Sequence, residues 1–275
     1  MFTLIEWLIE PLQYPFIQRA LCSAMLIGLL CAGLGVFVVL RRMSLIGHAL
    51  SHSALPGLVI AYLLGANIFL GALIATLLTA LAIGVISKSK EVYEDTSIGM
   101  MPTVMFALGI MLISTSKSYR DLSAMLFGNI LGVTSGDLLL IVGICVLVFG
   151  LMWLFFKELK LFCVDPNYAK SIGMPVQLIR YGLLVLLSLT VVVGIQAVGT
   201  ILTNALLIIP VAAARLLTDR LKYMMIYACL IAVIAGIAGV YASYYAGLSS
   251  GATIVMVCAL MFGVIWVIKQ LRRKV

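Results

Sequence analysis

Two histidines, His48 and His52, stand four positions apart in GHALSHSALPG, Gly47 to Gly57, and the 275-residue chain has no others. Residues at i and i+4 of a helix share one face, about 6 Å apart in rise. Two imidazoles so arranged can grip one metal ion through neutral ring nitrogens. A zinc-protease helix is disfavoured, because H-E-x-x-H needs a glutamate after the first histidine and Ala49 stands there. The plainer alternative is a pair hydrogen-bonded to neighbouring hydroxyls such as Ser51 and Ser53. Ionisable side chains within apolar spans are costly and mostly functional, which favours the metal grip.

The elements that carry the pair follow from composition. The chain is 64% hydrophobic and 10% charged, with mean hydropathy +1.23. That much apolar surface does not fit inside a water-soluble globule of this length, so an all-α, polytopic transmembrane helical bundle is expected. About 20 apolar residues cross a ~30 Å hydrocarbon core. Such runs lie near 15–40, 45–64, 67–87, 98–115, 137–156, 178–199, 223–245 and 251–268. A shorter run at 201–216, interrupted by Pro210, brings the expectation to eight or nine spans in one transmembrane domain covering 1–275. Residues 1–14 read as an interfacial helix. The connection 116–136, broken by Gly128, Gly132 and Gly136, reads as a surface or re-entrant helix. No removable leader is expected, the first span serving as its own targeting signal.

Orientation follows from the basic residues. Arg41, Arg42, Lys88, Lys90, Lys157, Lys160, Lys170, Arg180, Arg215, Arg220, Lys222 and the C-terminal Lys269, Arg272, Arg273 and Lys274 fall on alternate connections and the C-terminus, against only Arg19, Lys117 and Arg120 elsewhere. Cytoplasmic loops carry the excess of Lys and Arg, which puts the C-terminus inside and, with 201–216 counted as crossing, the N-terminus outside. The same bias accounts for the net charge of +8 without a nucleic-acid partner. If the chain is helical from Arg42 onward, His52 lies about 15 Å from the cytoplasmic edge.

All ten carboxylates sit at span ends or in connections. None is placed as an intramembrane proton relay, which disfavours a secondary transporter. The six cysteines, Cys22, Cys31, Cys145, Cys163, Cys229 and Cys258, never fall in C-x-x-C spacing and spell neither a zinc knuckle nor a disulfide framework. They read as packing residues. Glycines such as Gly28, Gly33, Gly35, Gly236 and Gly239 let helix backbones approach closely.

GHALSHSALPG resembles the G-D-A-[IL]-S-H-[AS]-x-L-P-G stretch on the second span of the metal-ion permease family of ATP-binding-cassette importers. Similar segments continue in order through RRMSLIG (41–47), EDTSIGM (94–100), LFGNILGV (126–133), VDPNYAKSIGMPV (164–176), ALLIIPVAAARLLTDR (205–220) and SYYAGLSSGATIV (243–255). The resemblance implies a type II importer-like permease in a prokaryotic plasma membrane, paired with a second copy or a homologous permease subunit. It implies a separate cytoplasmic ATP-binding subunit and an extracellular metal-binding protein. The implied cargo is a divalent manganese, zinc or iron ion, with no cofactor permanently bound and no catalysis in this chain. The family's Asp and His are taken to bind that ion. By position His52 matches the family's His, and His48 stands where the family has Asp. An imidazole there removes charge and shifts preference toward zinc and late transition metals over Mn²⁺.

The resemblance also implies cytoplasmic contacts. Residues 205–223 are similar to the stretch of cobalamin and siderophore permeases that ends in the helix contacting the ATPase. Pro210 is expected to break the apolar run, leaving Arg215, Asp219, Arg220 and Lys222 as a charged docking end. DPNYAKSIGMP reads as a short cytoplasmic helix capped by Asp165, with Pro166 in its first turn and Gly173 and Pro175 ending it. Asp165 and Lys170 are then expected beside the ATPase. No G-x-x-x-x-G-K-[ST] occurs, so ATP is not cradled here by that device. The rival readings are a permease for a chelate such as cobalamin or a siderophore, and an intramembrane metalloenzyme using the histidine pair.

Overall fold

A computed structural model describes residues 10–87, 93–114 and 130–274. Its helices are α1 Pro15–Leu40, α2 Ile46–Ser53, α3 Leu55–Leu63, α4 Ile68–Ile86, α5 Glu94–Ser114, α6 Ser135–Leu154, α7 Phe156–Val164, α8 Pro166–Ser171, α9 Val176–Val198, α10 Thr200–Leu217, α11 Leu221–Ala246 and α12 Ser250–Lys274. No strand occurs among the described residues. A helix satisfies its own backbone groups, as a chain in hydrocarbon must. Nine helical stretches among the described residues are long and apolar enough to cross a membrane, and they coincide with the nine apolar runs, 201–216 included.

Three local features differ from the expectation. The second span is two helices, α2 and α3, joined at Ala54. Pro56 has no N–H to offer the His52 carbonyl, and Ser53 Oγ donates to the Leu50 carbonyl at 2.9 Å, a back-bond that itself bends helices. Conversely, Pro210 does not break its run: it lies buried inside the continuous α10. A proline in an apolar helix removes one backbone bond, and packing against neighbouring helices tolerates it. Only Thr218, Asp219 and Arg220 separate α10 from α11, so 205–223 contains no helix of its own between them. Finally, a turn at Arg41–Leu45 precedes α2, with Arg42 at φ 59°. The chain is therefore not helical throughout from Arg42, and His52 stands six residues beyond Ile46, the first residue of its helix, a rise of about 9 Å.

The described part of the expected N-terminal helix is a single 3-10 turn, Pro11–Gln13, and residues 1–9 lie outside the described residues. So do 116–129 of the outer connection, together with Lys88, Lys90, Lys117 and Arg120.

The chain divides into two compact units. One is formed by the described residues of Met1–Val36, Gly128–Cys145 and Ala197–Val275. In it α10, α11 and α12 pack on one another. A Cβ on Gly35 would run into the Leu207 carbonyl, and one on Gly239 would meet the Ile254 backbone, so these glycines set close helix crossings. The other unit is formed by the described residues of Phe37–Phe127 and Val146–Gln196. There α5 packs against α2, α3 and α4. Gly57 on α3 and Gly71 on α4 face each other so closely that a Cβ on either would strike the other's carbonyl oxygen. Ser188 Oγ of α9 donates to the Thr76 carbonyl of α4 at 3.5 Å, and the Arg180 guanidinium donates to Ser87 Oγ at the end of α4. Arg41 lies 4.4 Å over the Phe162 ring of α7. The histidine pair belongs to this second unit.

Candidate metal centre

Helical spacing turns both imidazoles to one side of α2. The ring centroids of His48 and His52 are 4.3 Å apart, with planes at 74°. His52 also meets the edge of Phe106 on α5, centroid to centroid 5.0 Å at 81°. His48 is exposed and His52 half-buried. Both rings open on a cavity of about 320 Å³ lined by Leu45 of the preceding turn, by α2 (His48, Ala49, His52) and by α5 (Ile98, Gly99, Pro102, Thr103, Phe106).

The hydroxyls that offered a purely structural role for the pair bond to the backbone. Ser51 Oγ donates to the Gly47 carbonyl at 2.9 Å, and Ser53 bonds to Leu50 as described. Among the described residues the lining around the rings is chiefly apolar and carries no carboxylate or thiol. Among the described residues no three His, Cys, Asp or Glu side chains come together as a metal site. An ion held by the two imidazoles would thus need further donors from water, from backbone or hydroxyl oxygen, or from a second chain.

The α5 wall is the part that sequence reasoning missed. Its residues are uncharged and far along the chain from the histidines. Ile98 and Gly99 fall in the segment EDTSIGM (94–100), and Pro102 stands inside an apolar run, Pro- or Gly-interrupted spans being the pattern that points to transport sites.

The other expected site residues are placed as follows. Asp165 caps α8, its carboxylate accepting from the N–H groups of Asn167 at 3.1 Å and Tyr168 at 2.9 Å. Gly173 ends that segment at φ 81°, and Lys170 sits exposed in its last turn. In the other unit Pro210 is interior to α10, while Arg215, Asp219, Arg220 and Lys222 are exposed around the short turn to α11. The Arg220 N–H donates to Thr218 Oγ1 at 3.2 Å across that turn.

The model of one family, described as the ABC 3 transport family, matches residues 13–269. The chain belongs to this ABC 3 transport family. Its similar proteins include the manganese transport system membrane protein MntC of Halalkalibacterium halodurans, 46% identical over 252 residues that cover 91% of this chain and 86% of MntC. Another is the chelated iron transport system membrane protein YfeD of Yersinia pestis, 40% identical over 265 residues, 95% of this chain and 87% of YfeD. Among solved structures, PsaBC from Streptococcus pneumoniae in complex with Fab matches with a TM-score of 0.85 at 37% identity, over 96% of this chain and 95% of that one. Membership of ABC 3, with nine apolar helices among the described residues, makes this a multi-pass membrane transport protein rather than an enzyme.

Proposed function

We propose that this ABC 3 chain is the permease subunit of an importer for divalent transition metal ions of the manganese and iron type, in the plasma membrane of a prokaryote, and that His48 and His52 hold the ion in transit. The observation that carries the reading is the convergence of the only two imidazoles, 4.3 Å apart, on one cavity. The manganese and chelated-iron transport named for the relatives supports the cargo class.

Each neutral ring donates one nitrogen lone pair. Divalent metals of this kind take four to six donors, roughly, so the pair is a partial site that a second permease subunit completes at the moment of transport. An extracellular metal-binding protein delivers the ion, and a separate cytoplasmic ATPase supplies the energy. Arg215, Asp219, Arg220 and Lys222, set in register by the α10 helix that contains Pro210, dock on that ATPase. Asp165 and Lys170, at the two ends of α8, form a second contact.

His52→Ala is expected to abolish uptake of radiolabelled Mn²⁺ by cells while leaving membrane assembly and co-purification of the ATPase intact. Uptake at the unmodified level would remove the histidine pair from the pathway.

A further inference from the structure

The spacing of the two imidazoles suits one coordination geometry better than another. An ion bound about 2.1 Å from a ring nitrogen lies roughly 3.2 Å from that ring's centroid. Two rings that meet such an ion at a right angle therefore stand about 4.5 Å apart between centroids, and two at the tetrahedral angle about 5.2 Å. His48 and His52 stand at 4.3 Å, close to the right-angle arrangement and about 0.9 Å short of the tetrahedral one. One neighbour resists the opening. The Phe106 ring meets His52 at 5.0 Å and 81°, so His52 touches a second ring besides that of His48. Phe106 is itself held, packing against the buried cluster of Leu55 and Val59 on α3 and Ile113 on α5. Just beyond it on α5, Gly109 lies so close to Leu55 that a Cβ there would strike its side chain. The Phe106 ring thus cannot retreat from His52 without disturbing this packing. His48, by contrast, is exposed, so opening the pair falls chiefly on His48, and swinging a side chain off its rotamer is disfavoured.

Resting on the reading that the ion sits at the histidine pair, we propose that Phe106 is a specificity-determining positioning residue of that site, holding His52 beside His48 so that the pair keeps a bite near a right angle. That bite suits an octahedral ion such as Mn²⁺ and disfavours Zn²⁺, which prefers the tetrahedral angle. The bias opposes the preference for zinc that two nitrogen donors impose. It comes from a side chain that contributes no donor atom.

The test uses the assembled transporter loaded with Co²⁺, whose visible absorption is intense in tetrahedral sites and weak in octahedral ones, with Mn²⁺ and Zn²⁺ affinities measured alongside. The unmodified protein is expected to give the weak spectrum. Phe106→Ala frees His52 and is expected to give the intense one, together with a ratio of Zn²⁺ to Mn²⁺ affinity raised about fivefold, the scale of one side chain turned off its rotamer. Phe106→Leu keeps apolar volume against Leu55 and Ile113 and is expected to show the same shift in smaller measure, so the test survives if the alanine variant fails to assemble. An intense spectrum in the unmodified protein, or an unchanged spectrum or metal ratio in a variant that assembles, overturns the proposal. His52→Ala separates the two failures. If it leaves the Co²⁺ spectrum and Mn²⁺ affinity unchanged, the histidine reading falls and this one with it; if it abolishes binding while the Phe106 variants keep the spectrum and metal ratio of the unmodified protein, only the role of Phe106 falls.

Discussion

In the proposed site, His48 is the residue on which the choice of cargo would turn. With an imidazole rather than a carboxylate at position 48, the pair brings no negative charge to a divalent ion, and nitrogen donors favour zinc and late metals over manganese. His48→Asp supplies an anionic oxygen on the same face, and the expected outcome is a transporter whose metal content shifts toward manganese, read by elemental analysis after loading from a mixture. Protons compete with the ion for the same lone pairs. Because only neutral imidazole binds metal, ion affinity is expected to weaken as the medium is acidified toward about pH 5, more steeply than for a single-histidine site. Calorimetric titration across that range measures it, and an affinity indifferent to pH removes the imidazoles from the ligand set. At this scale the sequence is half legible. The i, i+4 spacing is written in the chain, and the folded rings converge as it implies. EDTSIGM (94–100) marked the start of α5, but nothing in the sequence set Ile98, Gly99, Thr103 and Phe106 beside the histidines, because none of them carries an ionisable group.

Among the elements, α3 and α4 depend on the absence of two side chains. Gly57 and Gly71 bring the two backbones into direct contact, so Gly57→Ala must push the helices apart. Forced overpacking costs about 1–3 kcal/mol, visible as a lower unfolding midpoint in detergent. Gly263→Ala in α12, where nothing lies within 4 Å of the added methyl, is expected to leave the midpoint unchanged or raise it, since alanine is the better helix former. Span lengths were legible because a bilayer demands long apolar runs, and all nine were found. Prolines were not legible in the same way. Pro210 was expected to break a helix on a rule that holds for helices in water, yet α10 runs through it; Pro56, inside a run expected to be unbroken, marks the joint between α2 and α3. The difference is not burial, since both prolines are buried; serine back-bonding from Ser53 already loosens the turn before Pro56, whereas α10 runs continuously through Pro210.

For the whole transporter, the proposed function places the decisive contacts at surfaces that other subunits would meet. Arg215 and Arg220 are exposed at the α10–α11 turn, and charge reversal at both is expected to reduce co-purification of the ATPase and metal-stimulated ATP hydrolysis severalfold, in the manner of charged contacts that govern association. Unaltered association would move the docking surface elsewhere, with Asp165 and Lys170 next to be tested. One feature of the fold constrains how a bound ion can be let go. Both imidazoles ride on the same eight-residue helix, bounded by the left-handed turn at Arg42 on one side and the joint at Ala54 on the other. Tilting or sliding that helix as a rigid lever carries the two rings together and leaves their separation as it was. Within the proposed reading, motion of the helix alone therefore cannot prise one histidine from the other, and release falls to turning of the side chains, protonation of the rings or withdrawal of the donors that complete the site.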